Sequence, residues 1–256
     1  MSDMTTKAPP LERYIRILEV LAGLPDGVSA GELAGLLNVP RPTIHRLLNV
    51  MLDTRLIEQT AGGGYQLADR VRMLALMGLN EALLGPLFAP ILREAAEATR
   101  MTVYIGKLEG TRVVSLMMDA PGEHWRGFVL PGRVFAPHAA AGAKAILAYQ
   151  PEALVRQALA EGGMERFTPY TIDTIEGVLA DLEQVRRRGY ATCIREIDEG
   201  LFALSVPIFT GPGQAVMSLG MTAPLNRLTP EQRPQAAAEL GRFAERMAFL
   251  LRRQQV

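Results

Sequence analysis

Cysteine is nearly missing from this chain: of 256 residues only Cys193 carries a thiol. That excludes an internal disulfide and any multi-thiolate metal site, and it fits a reducing compartment. Histidine is as sparse, and His45, His124 and His138 are too scattered to give the paired spacing of a zinc site. Net charge is absent too, since 27 Lys and Arg balance 27 Asp and Glu. Recognition of nucleic acid through bulk positive charge is thereby disfavoured, and through Asn80 the balance is again eight against eight. No stretch approaches the roughly twenty uninterrupted apolar residues of a membrane span. The longest candidate, Ala139 to Tyr149, is broken by Lys144. The start, MSDMTTKAPP, has no apolar run, so residues 1–10 are expected to be a disordered start rather than a signal peptide or anchor. The expected compartment is the cytoplasm, with no membrane partner.

Chemistry is equally scarce. AAAGAKA from Ala139 echoes a phosphate loop but lacks the leading glycine and the Ser or Thr after Lys144. Cys193 could be written with His138 or His124 as nucleophile and base, but nothing in the sequence brings them together, and a lone cysteine is usually a small buried hydrophobe. No catalytic residue, metal or cofactor is therefore expected, and the chain is read as a non-enzyme. Hydrophobic residues at 48% and charged residues at 21% are ordinary for a globular protein, and the length allows two modest cores.

What the chain does have is the stretch from Ser29 to Thr54. Ser29 is a natural N-cap, with Glu32 placed to complete a capping box. Leu33, Leu36 and Leu37 give one apolar face before Asn38-Val39-Pro40 interrupts. A second helix begins near Pro42 and carries Ile44, Leu47, Leu48, Met51 and Leu52 at the spacing of a helix buried along one side. Pro42, Arg46 and Asn49 then point directly away from the core, flanked by Thr43 and His45. With Arg41 they form an outward side able to meet phosphates and base edges. Ile57 to Thr60, a glycine turn, and Tyr65 to Leu67 read as a hairpin. A helix-turn-helix followed by a hairpin is a winged helix, whose second helix enters the major groove. Leu11 to Gly23, with Leu11, Tyr14, Ile15, Leu18, Leu21 and Ala22, is expected to close that core. Arg41, His45, Arg46 and Arg55 are the local cations; so few of them favour a dimer that doubles the contacts.

These residues resemble the DNA-binding half of an IclR-type transcriptional regulator. Further on, PHAAAGAKAILA, TPYTI, LEQVRRRGYA, the pair Glu196 and Gly200, and VPIF follow the same family's effector domain in order. The resemblance implies an α+β chain of two domains: a winged helix-turn-helix over 11–68, a linker and dimerisation helix over 69–85, and a GAF-like (profilin-like) effector-binding domain over 86–256. It also implies a homodimer or tetramer binding double-stranded operator DNA and a small carboxylic acid. Val71, Leu74 and Met77, with Leu76, Leu79 and Leu83 beside them, make the linker too apolar to stand alone. Gly85-Pro86 is expected to end it.

Beyond that point an amphipathic helix is expected over 87–100, strands over 102–106, 112–118, 127–130, 202–209 and 215–222, and helices over 139–149, 151–161, 174–188 and 230–253. The small-residue helix start at Ala140, Ala141 and Gly142 exposes backbone N–H groups of the kind that attract anions. In the family the corresponding start receives the effector's carboxylate. Aligned on Gly200-Leu201 and Phe209, the family's polar pocket positions fall on Cys193, Ala203, Gly220 and Thr222. Of these only Thr222 keeps a polar group of the expected kind, which predicts an aromatic or otherwise hydrophobic acid. Met117, Met118, Trp125 and Phe128 are expected at the mouth. Two rival readings remain at this stage: a small-molecule enzyme with an N-terminal interaction module, and a ligand-independent DNA binder.

Overall fold

A computed structural model describes residues 10–24, 26–78, 81–122, 129–211 and 213–253. Residues 1–9 of the start expected to be disordered, together with Trp125 and Phe128, lie outside the described residues, and Pro10 belongs to the first helix. The chain divides into two compact units, 1–78 with the last four residues, and 79–252.

In the first unit, α1 (Pro10–Ala22), α2 (Ala30–Leu37) and α3 (Arg41–Asp53) are followed by the hairpin β1 (Ile57–Gln59) and β2 (Tyr65–Leu67), then α4 (Asp69–Gly78). The capping box closes as the residues predict: Ser29 N–H donates to Glu32 Oε2 at 2.9 Å, and Glu32 N–H to Ser29 Oγ at 3.2 Å. Asn38, at φ 52, ends α2 in the left-handed region, and its N–H bonds back to Ala34 and Gly35. Ile44, Leu47, Leu48 and Met51 of α3 are buried with Leu33, Val28, Ile57 and Tyr65 in one core. Val28 pairs with Tyr65, adding a third short edge to the hairpin. The expected face of α1 needs correcting. Ile17 and Leu21 are buried with Tyr14 and Leu18 beside them, whereas Leu11 is 71% and Ile15 46% exposed. The stripe is rotated because Ile17, with Leu21 one turn on, occupies its centre.

The second unit begins with α5 (Glu81–Thr99), which passes straight through Gly85-Pro86 and Pro90. The expected break there is wrong. Each proline costs about 3 kcal/mol in a helix interior. Leu84, Phe88, Ile91 and Leu92 are all buried along one face, at about 1.5–3 kcal/mol each. Burial wins.

The strands β3 (Thr102–Glu109), β4 (Arg112–Asp119), β5 (Ala191–Ile194), β6 (Leu201–Gly211) and β7 (Gln214–Pro224) form one antiparallel sheet in the order β4-β3-β7-β6-β5. Between β4 and β5 come α6 (Ala141–Leu147), α7 (Glu152–Gly162) and α8 (Ile175–Arg188); α9 (Arg233–Arg253) ends the unit. The strand expected at 127–130 is not present in its described part, Val129 and Leu130, and β5 was not foreseen. α6 packs on β6 and β7, where Ser218 Oγ donates to Gly142 O at 3.0 Å. α5 packs on β3 and β4 and is tied to α9 by a bidentate pair from Arg246 to Glu94 at 2.8 and 2.7 Å. No helix among the described residues is long and apolar enough to cross a membrane.

Candidate functional site

The outward side of α3 is polar. Arg41, Pro42, His45, Arg46 and Asn49 are exposed and Thr43 half-buried, while Ile44, Leu47 and Leu48 beneath them are buried. Pro42 sits in the first turn, where its missing N–H costs nothing. A Cβ on Gly31 would lie 3.4 Å from Arg41 Nη2, so the Arg41 guanidinium rests against α2.

The second unit holds a cavity of about 250 Å³ between the sheet, the start of α6 and the loops at 129–136 and 195–201. Ala141, Cys193, Ala203 and Thr222 all line it, and they are joined by Tyr104, Phe135, Phe167, Val129 and Val134, with Arg133 and Asp198 at the rim.

Four expected positions do not line it: Gly220, Gly142, Met117 and Met118. Gly220 lies opposite Tyr104 in the sheet, and the phenol ring covers it so closely that a Cβ there would sit 2.2 Å from Tyr104 Cζ. Gly142 is covered in the same way by Phe135 and Tyr104. Its N–H, expected to meet a carboxylate, is hydrogen-bonded to the Tyr104 hydroxyl. Met117 pairs with Ile105, the next position after Tyr104, and successive strand residues point to opposite faces. The space that small residues leave at 142 and 220 is thus filled by the chain's own rings.

Behind Cys193 lies a buried ionic cluster. Lys144, 1% exposed, places Nζ 2.9 and 2.7 Å from the two Glu196 oxygens and 2.9 Å from Asp181 Oδ2. Burial raises the Glu196 carboxyl above its ordinary range, with Lys144 opposing. Burial and the nearby Glu196 push the Cys193 thiol up to about 12, so it is a neutral and unreactive group rather than a nucleophile. His138 is also buried, stacked on Phe167 and bonded through Nε2 to Glu165 O at 2.9 Å. No cluster of metal-ligating side chains occurs among the described residues.

The family descriptions match on both units: the IclR helix-turn-helix domain over residues 10–61 and the bacterial transcriptional regulator IclR C-terminal domain over 79–248. The chain belongs to the IclR family. It is 30% identical over 225 residues to the HTH-type transcriptional regulator BhcR of Paracoccus denitrificans, covering 86% of this chain and 78% of that one. Its fold is similar to that of the Thermotoga maritima IclR, with a TM-score of 0.62 at 22% identity, over 94% of this chain and 98% of the other. It is also similar to that of an IclR homologue from Microbacterium hydrocarbonoxydans complexed with 4-hydroxybenzoate. There the TM-score is 0.59 at 23% identity, over 95% and 99% of the two chains.

As an IclR-family regulator the chain is a DNA-binding transcription factor, and its α3 surface makes a prediction. Arg46→Ala is expected to weaken operator binding by about 1–3 kcal/mol if it reads a base, or to lower the salt slope by about 1 if it meets phosphate. Being exposed, it should leave stability within roughly 0.5 kcal/mol. Leu47→Ala, at a position 5% exposed, should instead cost about 2–5 kcal/mol of stability. Thermal melts and DNA titrations at matched salt separate the two. In this regulator's cavity, Tyr104, Phe135 and Phe167 were missed from sequence. Only the glycines at 106, 142 and 220, which clear space around two of those rings, carried any signal.

Proposed function

We propose that this regulator binds a two-half-site operator in the cytoplasm as a dimer or tetramer. In this reading a small carboxylic acid with an aromatic or otherwise hydrophobic body, held in the second unit's cavity, changes that binding. The observation that carries the acid's class is the cavity lining. Its walls are Phe135, Phe167, Val129, Val134 and Ala203, and its one threonine, Thr222, already donates its hydroxyl proton to Phe202 O at 2.8 Å. A ligand hydroxyl left unpaired there costs about 1–3 kcal/mol, one or two powers of ten in affinity. A single ring avoids that loss and buries apolar area at about 25 cal/mol per Å². The 4-hydroxybenzoate bound to the Microbacterium relative supports an acid of this size. By linkage, DNA alters acid affinity by the same factor that the acid alters DNA affinity.

Calorimetry with matched acids tests the reading. Benzoate or a phenyl-substituted acid should bind more tightly than glyoxylate or pyruvate; the reverse order would remove the aromatic class. The dimer rests on exposed Leu74 of α4 and Leu83 of α5, 60% and 57% accessible in the single chain, and on the few cations of α3. Light scattering at micromolar concentration should give at least twice the chain mass, and a stable monomer would contradict it.

A further inference from the structure

We infer that Glu196 is a positioning residue for the acid: without lining the cavity it ties together three segments that wall it, an assignment that rests on reading the cavity as an acid-binding site. The first wall is the start of α6, where Ala140 and Ala141 line the cavity. About one turn further along the helix, Lys144 Nζ donates to both Glu196 oxygens at 2.9 and 2.7 Å. The second wall is the segment that follows Glu196 itself, through Ile197, Asp198 and Leu201. The third is the loop between α7 and α8, which supplies Phe167. Two hydroxyls bolt that loop to the backbone at Glu196: Thr171 Oγ1 donates to Glu196 O and Thr168 Oγ1 to Arg195 O, each at 2.6 Å.

The same hydroxyls shape the loop. Thr171 Oγ1 accepts the N–H groups of Phe167 at 3.1 Å and Thr168 at 2.9 Å, and Thr168 Oγ1 accepts that of Tyr170 at 3.1 Å. Each therefore gives its one proton to the backbone at 195 and 196 while it accepts from the turn that carries Phe167. Both threonines are buried, so a hydroxyl removed there leaves its backbone partners unpaired. From the other side, Arg195 Nη1 donates to Tyr170 Oη at 3.0 Å with the guanidinium 5.0 Å from that ring's centre. Arg195 holds φ 64, a left-handed conformation that persists in a residue with a side chain only where its surroundings over-determine it. Here they are Tyr170, Glu199 O at 3.3 Å and the Thr168 hydroxyl. Phe167 and Ile197 are 38% and 42% exposed, apolar side chains at the rim that are placed by the backbone beneath them. A ring that finds them already placed avoids the loss of freedom that immobilising each would cost on binding.

The test is calorimetry on the full chain with benzoate, beside thermal melts of each variant. Thr171→Val keeps the side chain's shape but removes the hydroxyl, and should weaken benzoate binding by roughly five- to hundredfold at a temperature where the variant is folded. Thr171→Ser restores the hydroxyl and should bind within about threefold of wild type. Thr168→Val and Thr168→Ser repeat the comparison through Arg195 O should Thr171→Val fail to fold. Glu196→Gln weakens the bond to Lys144, and combined with Thr171→Val it should lose less than the product of the two single losses, since both release the same wall. Leu159→Ala, a buried truncation that does not line the cavity, should lower stability yet leave benzoate affinity within about threefold. Unchanged affinity in a folded valine variant, an equal loss in its serine counterpart or in Leu159→Ala, or losses that multiply in the double variant would overturn the positioning role while the acid-binding reading stands. Wild type that binds no aromatic acid would bring down that reading and the positioning role with it.

Discussion

Replacing Lys144 by methionine will lower the melting temperature by roughly 10 °C at neutral pH. The ammonium is buried between Glu196 and Asp181, and removing it leaves the buried Glu196 carboxylate without a cation beside Asp181, which keeps only Arg188 at 3.8 Å. Breaking a buried ionic cluster this way costs about 3–5 kcal/mol, and in a domain of 150–250 residues each kcal/mol shifts the midpoint by about 2–4 °C. The pH dependence has a definite sign. The Glu196 carboxyl is raised by burial in the folded state, so its contribution favours folding below the unfolded value near 4.5 and is lost as pH rises through the raised folded value. Without Lys144 the folded value rises further, because burial and Asp181 are then opposed by the Ile194 N–H alone. The deficit of the variant is therefore largest at pH 7 to 8 and narrows toward pH 5. A deficit that stays constant across that window would show that the loss is one of packing and not of charge.

Gly220→Leu carries the second large effect, on stability and ligand binding together. Even the Cβ would meet Tyr104 Cζ at 2.2 Å and Oη at 2.5 Å, so the ring must leave its seat, and the cavity it lines lies beside it. Overpacking of a fitted core costs about 1–3 kcal/mol, and displacement of Tyr104 into the cavity should abolish acid binding. Gly220→Ala combined with Tyr104→Ala makes the cause visible. With the ring gone, the added methyl meets no clash, and the pair should be less destabilised than the sum of the single variants by about 1 kcal/mol or more. Additive losses would mean that Gly220 is required for a reason other than the Tyr104 ring.

The N-terminal unit was legible because its signals are local. Ser29 and Glu32 are three residues apart, the α3 face repeats every three or four, and a glycine run separates two short strands; each motif states its own geometry. Where one residue shifts a stripe, as Ile17 does in α1, periodicity misses the centre while finding the helix. The prolines in α5 misled because a local rule was outweighed by burial against the sheet, which no local pattern records. The cavity was half legible for the same reason. The small-residue helix start found Ala141, and the alignment landmarks found Cys193, Ala203 and Thr222, all of which line it. Tyr104 reaches Gly220 only through the β3–β7 register, and Gly142 through the packing of α6, pairings across more than a hundred and nearly forty residues of chain respectively. Small residues in a sequence announce space, but not what fills it.

If α3 reads DNA and an acid in the cavity changes that reading, fluorescence anisotropy on the DNA upstream of the regulator's own gene will show both. Binding is expected to be about 10³-fold or more tighter than to unrelated DNA at the same salt. That affinity is expected to shift by roughly 5- to 150-fold when the aromatic acid found by calorimetry is saturating. Equal affinity for both DNAs, or an operator affinity unmoved by a bound acid, would contradict it.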